Sequence, residues 1–170
     1  MKHTMRVGAM LLALCASVAQ AQAPAPMAAT YSITLMSPEL AVRAAQAAIA
    51  ACRQAGYQVS VAVVDRTGQT QVLLRDRLAG IHTGEAATAK AWTAASFKTD
   101  TTVLARATAS GSEASGIRNI PRALAVGGGI MIEANGSLLG AIGISGAPSG
   151  AADDACARAG IAAIDEDLNF

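Results

Sequence analysis

The feature that most limits what this chain can fold into is a pair of strand–turn–strand segments separated by helix-forming sequence. Tyr57 to Val64 (YQVSVAVV) alternates and is rich in valine, Asp65-Arg66-Thr67-Gly68 supplies a turn, and Gln69 to Arg75 returns as a second strand. Further on, Ile130 to Ala134 and Leu138 to Ser145 flank Asn135-Gly136, a pair in which both residues tolerate positive φ. Hairpins impose antiparallel pairing. The expected fold is therefore α/β in content and α+β in class, an antiparallel sheet carrying helices and not a doubly wound parallel one.

The helices have their own signals. Ser37-Pro38-Glu39 offers an N-cap, a proline at the first helical position and a carboxylate in the positive first turn. The Ala-rich stretch Leu40 to Ala55 follows and is stopped by Gly56. Residues 85–97 read as a second helix with a small-residue face of Ala87, Ala91, Ala94 and Ala95, and Thr101 to Ala109 as a shorter one. Ser110 to Arg122 is polar and carries Gly and Ser, so it reads as a loop. Gly127-Gly128-Gly129 introduces the second hairpin, and Ala151 to Ile164 forms a last helix, with Asp153-Asp154 expected to cap it.

The chain opens with a short basic segment, Met1 to Arg6, then an apolar run from Val7 to Ala16, then Ala19-Gln20-Ala21. This is the pattern of a secretory signal peptide over residues 1–21, and the apolar run is well short of the ~20 residues of a membrane-spanning helix. Leu14 before Cys15 argues against lipidation, since a small residue is needed there. Residues 22–36 read as an exposed leader and residues 37–170 as a single domain. Cleavage would take the formal charge from +1 to −1 and leave His82 as the sole histidine, with Cys52 and Cys156 as the only cysteines. Such a near-neutral domain has no electrostatic footprint for nucleic acid. No later segment is apolar and long enough for membrane insertion. The expected location is periplasmic or secreted. With aromatics at 3%, the core must come from Ala, Val, Ile and Leu. Cys52 and Cys156 lie on the first and last predicted helices, where a disulfide and two buried thiols are both open readings.

Taken together, Val63-Val64-Asp65-Arg66-Thr67-Gly68, Ala89-Lys90-Ala91-Trp92-Thr93-Ala94-Ala95, the triple glycine, Asn135-Gly136 and Gly140-Ala141-Ile142-Gly143-Ile144-Ser145-Gly146 resemble the GlcG/HbpS family. That family includes the C-terminal domain of PduO-type proteins. Asp153-Asp154 with Ala157-Arg158-Ala159-Gly160 is similar to its closing helix, and the resemblance runs from about Ser37 to Ile164. It implies a profilin-like antiparallel sheet of about five strands flanked by helices, often in a homo-oligomer. It also implies a small-molecule ligand, with haem or a related tetrapyrrole the expected cofactor and haem degradation a further label in the family. Two positions depart from the family pattern. Arg75-Asp76-Arg77 stands where relatives often read Arg-Met-Asp, and Met131 stands where they often have proline.

Haem iron takes an imidazole or soft axial ligand, and its propionates take cationic partners. His82 is the candidate for the iron, competing with a reading as a plain loop histidine. Met131 is a thioether candidate, competing with core filling. Met36 and Met27 are weaker candidates. Arg75, Arg77, Arg118, Arg122 and Lys90 are candidates for a ligand's carboxylates, against solvated surface positions for each arginine. Lys90 has a second reading as a structural partner of Asp65 or Glu85. Trp92 suits stacking on a flat ligand or packing. For the alternative function, an exported enzyme acting on a small organic acid or aromatic compound, Lys90 and Asp65 are the catalytic candidates.

Overall fold

In the computed structural model, which describes residues 28–168, both hairpins form around the turns that the sequence marks. Strand β1 (Ser60–Asp65) pairs antiparallel with β2 (Thr70–Arg75), and β3 (Gly129–Ala134) with β4 (Ser137–Ser145). β1 also pairs antiparallel with β4, which joins the hairpins into one sheet of order β2-β1-β4-β3. Among the described residues the sheet has four strands, those read from the sequence, against the five or so that the family resemblance implied. The Asn135-Gly136 turn has positive φ at both residues, 48° and 72°. The signal-peptide segment 1–21 and Met27 lie outside the described residues.

Helix α1 (Pro38–Gln54) starts as its cap predicts, with Ser37 Oγ accepting from the Leu40 amide. Its buried residues Ala41, Ala44, Ala45, Ala48, Ile49 and Cys52 recur at three- and four-residue intervals, the stripe of a helix lying on a core. Met36, the last residue read as leader, is buried in the same core. Helix α4 (Gly150–Ala162) packs beside α1 through Gly160, where an added Cβ would lie 2.6 Å from the Ala44 carbonyl oxygen. The two helices cover Val61, Val63, Ile130, Ile132, Ile142 and Ile144 on one sheet face. A Cys52–Cys156 disulfide, Cα–Cα 5.5 Å, joins them. That resolves the choice left open above.

Helix α2 (Thr83–Phe97) covers the other face, where Ala62, Val64 and Ala141 meet Ala87, Ala91, Ala94 and Ala95. The approach is very close: a Cβ on Gly143 would sit 2.0 Å from the Ala87 carbonyl oxygen. Helix α3 (Thr101–Ala107) and a 3-10 helix, Glu113–Asn119, lead back to the triple glycine. The stretch read as loop thus contains one short helix.

Candidate functional site

The triple glycine lets the chain pass between α2 and α4 to start β3. A Cβ on Gly127 would meet Gly150, one on Gly128 would lie 2.9 Å from Lys90 Nζ, and one on Gly129 would lie 2.5 Å from the Lys90 carbonyl oxygen. The triple glycine is thus a tight crossing whose close contacts are made inside the chain. Beside this crossing a cleft of about 380 Å³ opens between the first turns of α2 and α4, with Gly80, His82, Thr83, Lys90, Ser145, Ser149 and Asp153 in its wall.

Lys90 is buried at 4% exposure, and its Nζ donates to Asp153 Oδ2 at 2.7 Å and to the Ile144 carbonyl at 2.9 Å. Asp153, 3% exposed, accepts from the Ala147 amide through its other oxygen. Burial pushes the Asp153 carboxyl above its ordinary range, against the pull of the Lys90 ammonium and the Ala147 amide. Lys90 is thus paired structurally, with Asp153 and not with Asp65 or Glu85. The cap of α4 is Ser149, whose Oγ accepts from the Ala152 amide. Asp153 and Asp154 lie inside the helix, and Asp154 instead takes the Gly128 amide and Thr102 Oγ1. Both corrections have one cause: these carboxylates face protein groups across the α2–α4 crossing, and not the helix's own orphan amides.

The other candidates are dispersed. His82 is exposed at the N-cap of α2, its ring lying against Gly80. Met131 is on β3 and lines a separate cleft with Arg158, Ile161 and Asp165. Arg75 donates to the Ala79 carbonyl, closing the loop after β2. Arg118 donates to the carbonyls of Thr108 and Ala105 and so ties down the end of α3. Arg122 lies 5.0 Å over the Trp92 ring and borders a third groove with Leu73, Glu85 and Thr88. Asp65 holds its turn together by accepting from the Thr67 amide and hydroxyl and from the Gln69 amide. Burial would raise its pKa, but these hydrogen bonds outweigh it and lower the value overall.

Of the predicted ligand-site candidates, His82 and Lys90 line one cleft. Asp65 pairs with Gly140 while Lys90 reaches Ile144, four residues along β4, or about 13 Å of strand. Reading from sequence gave Asp153 a capping role only and singled out neither Ser145 nor Ser149 for the site. The missed signal was present: Lys90 falls on the inward stripe of α2, with Ala87, Ala91 and Ala94, and Asp153 on the inward stripe of α4, with Cys156, Ala157 and Gly160. Opposite charges on two buried stripes require each other. Among the described residues no cluster of three or more His, Cys, Asp or Glu is placed to hold a metal ion. No described helix is long and apolar enough to cross a membrane.

The family model described as haem degrading protein HbpS-like matches residues 36–162. The crystal structure of a double mutant of HbpS from Streptomyces reticuli is 41% identical, with a TM-score of 0.75, over 83% of this chain and 97% of that one. The crystal structure of a PduOC:heme complex is 30% identical, with a TM-score of 0.72, over 78% of this chain and 96% of that one. Protein ORFY of Klebsiella pneumoniae, at 24% identity and a TM-score of 0.80 over 83% and 98%, shares the fold. No curated protein matches the chain.

Proposed function

Because the chain belongs to the HbpS-like family, we propose that it is an exported protein that binds haem or a related tetrapyrrole. The observation that carries this reading is the 30% identity, over most of both chains, to a domain solved with heme. The residues on the loop before α2 suit such a ligand. His82 presents an exposed imidazole, Ile81 and Leu78 are apolar yet 92% and 78% exposed, and Arg77 supplies a cation on the same loop. These would offer a donor to the iron, apolar contacts to the ring and a partner for a carboxylate of the group. When bound, haem would supply redox chemistry at its iron; the chain would orient the group and shield one edge. Met131 faces another cleft and is given no part in this site.

Export is supported by the basic and apolar start of the sequence and by the Cys52–Cys156 disulfide, a bond that persists in oxidising compartments. Exposed Leu73 and Val103, outside that loop, support assembly into a homo-oligomer, which sedimentation of the purified protein checks.

Hemin titration of the mature, tag-free protein tests the binding. A saturable Soret band is expected, altered in His82→Ala and unaltered in Met131→Ala. Hemin binding no tighter than to an unrelated acidic protein would sink the proposal, and an unchanged spectrum in His82→Ala would remove His82 as ligand.

A further inference from the structure

The inner end of the His82 cleft carries chemistry that the haem reading does not use. Ser145 ends β4 opposite Ser60, on the sheet face that α2 covers. It is 7% exposed and lines the cleft, and its hydroxyl makes no hydrogen bond among the described residues. Its neighbours are satisfied: Ser60 Oγ and Thr83 Oγ1 share a 2.7 Å hydrogen bond, and Thr83 Oγ1 donates to the Gly80 carbonyl. The Ser145 hydroxyl therefore opens onto the cleft with no protein partner of its own, and is free to bond to a group held there.

Two further donors face the same space. An ammonium has three protons, and Lys90 commits two of them, to Asp153 and to the Ile144 carbonyl. Helix α4, 13 residues long, begins at the cleft with Gly150 as its first residue. The Ala152 and Asp153 amides are taken by Ser149, whereas the Gly150 amide has no acceptor within the helix, as at any helix start. The positive end of the helix dipole adds to the field of Lys90.

We propose that the cleft between the first turns of α2 and α4 is a binding site for a small organic monocarboxylate, held by Ser145 Oγ, Lys90 Nζ and the Gly150 amide. A monoanion suits this arrangement. Lys90 and Asp153 form a one-to-one ion pair, so the ligand is held by directed donors and the helix end rather than by net charge. Each further negative charge, as on a phosphate dianion, adds repulsion from Asp153. His82 closes the outer side of the cleft.

The site stands apart from the haem reading, and the two fail separately: hemin is scored by its Soret band and the carboxylate by amide shifts. Titrating acetate into ¹⁵N-labelled mature protein without hemin should give saturable shifts at the Ser145, Gly150 and Ala151 amides. Ser145→Ala should weaken acetate about tenfold, as loss of a hydrogen bond to a charged group does, while leaving the thermal midpoint and the remaining amide spectrum in place. Inorganic phosphate should bind more weakly than acetate. Shifts that never saturate, that are equal in Ser145→Ala, or that are stronger with phosphate would each overturn the assignment.

Discussion

The two faces of the sheet are held by opposite means. Beneath α1 and α4 the sheet offers Val61, Val63, Ile130, Ile132, Ile142 and Ile144, and a disulfide ties the two helices together. Beneath α2 it offers Ala62, Val64, Ala141 and Gly143, and at Gly143 no side chain lies between helix and strand. The first face is a deep apolar layer, whose energy scales with area removed from water. The second is a backbone-to-backbone seat, where there is little area to remove but also nowhere for an added atom to go. Lys90 and Asp153 join the two, reaching from α2 to α4 around the end of β4. The polar cleft lies at that join. A chain that packs one helix this tightly can place a buried ammonium at a fixed spot, which a loosely packed face would not do.

Adding one methyl to the tight face should do the most damage. Gly143→Ala brings a Cβ to 2.0 Å from the Ala87 carbonyl oxygen, a backbone atom that cannot move without lifting α2. A loss beyond about 4 kcal/mol is expected, enough to abolish the urea transition of a marginal domain. A cooperative transition close to the parent's would break the contrast between the faces.

Lys90→Met comes next, at about 3–5 kcal/mol, because it leaves the Asp153 carboxylate buried without its cation. The Asp153 carboxyl is already raised by burial. With a raised folded value, its protonated form favours the folded state below the unfolded pKa, and that contribution fades as pH rises through the folded one. The deficit of Lys90→Met should therefore shrink on acidification, measured by urea melts across pH, and Lys90→Met with Asp153→Asn should recover most of it at neutral pH. Replacing Cys52 and Cys156 by alanine should follow at about 2–4 kcal/mol, since the bond closes a loop across a sequence separation of 104.

On the branched face, Ile142→Val removes one methylene and should cost only about 1 kcal/mol, read from the shift of the urea midpoint. That graded response, set beside Gly143→Ala one residue away, is the sharpest form of the comparison. The smallest effect concerns Asp76, which is lowered chiefly by its hydrogen bond from Arg53, against desolvation, with help from the Arg77 amide and both arginine charges. A lowered carboxyl contributes stability above its unfolded value, near 3.9, and loses it as pH falls through the folded one. Thermal melts below about pH 4 should fall less steeply for Asp76→Asn than for the parent.

The sequence by itself determined the elements and the class of fold, because these rest on local chemistry. Ser37-Pro38 starts a helix, Asn135-Gly136 turns a hairpin, and alternating valines make a strand whatever lies across from them. It also placed Ala87, Ala91 and Ala94 on one helical face. What it left undecided are choices between distant partners. Lys90 had Asp65 and Glu85 as nearby candidates and found Asp153, 63 residues on, because β4 brings α4 to the end of α2. Cys52 and Cys156 were a bond or two thiols until α1 and α4 came to lie side by side. Ser145 was one more residue of a buried strand until the cleft left its hydroxyl without a partner. Pairing across more than 50 residues depends on which face each helix takes, and that is settled only when the sheet is complete.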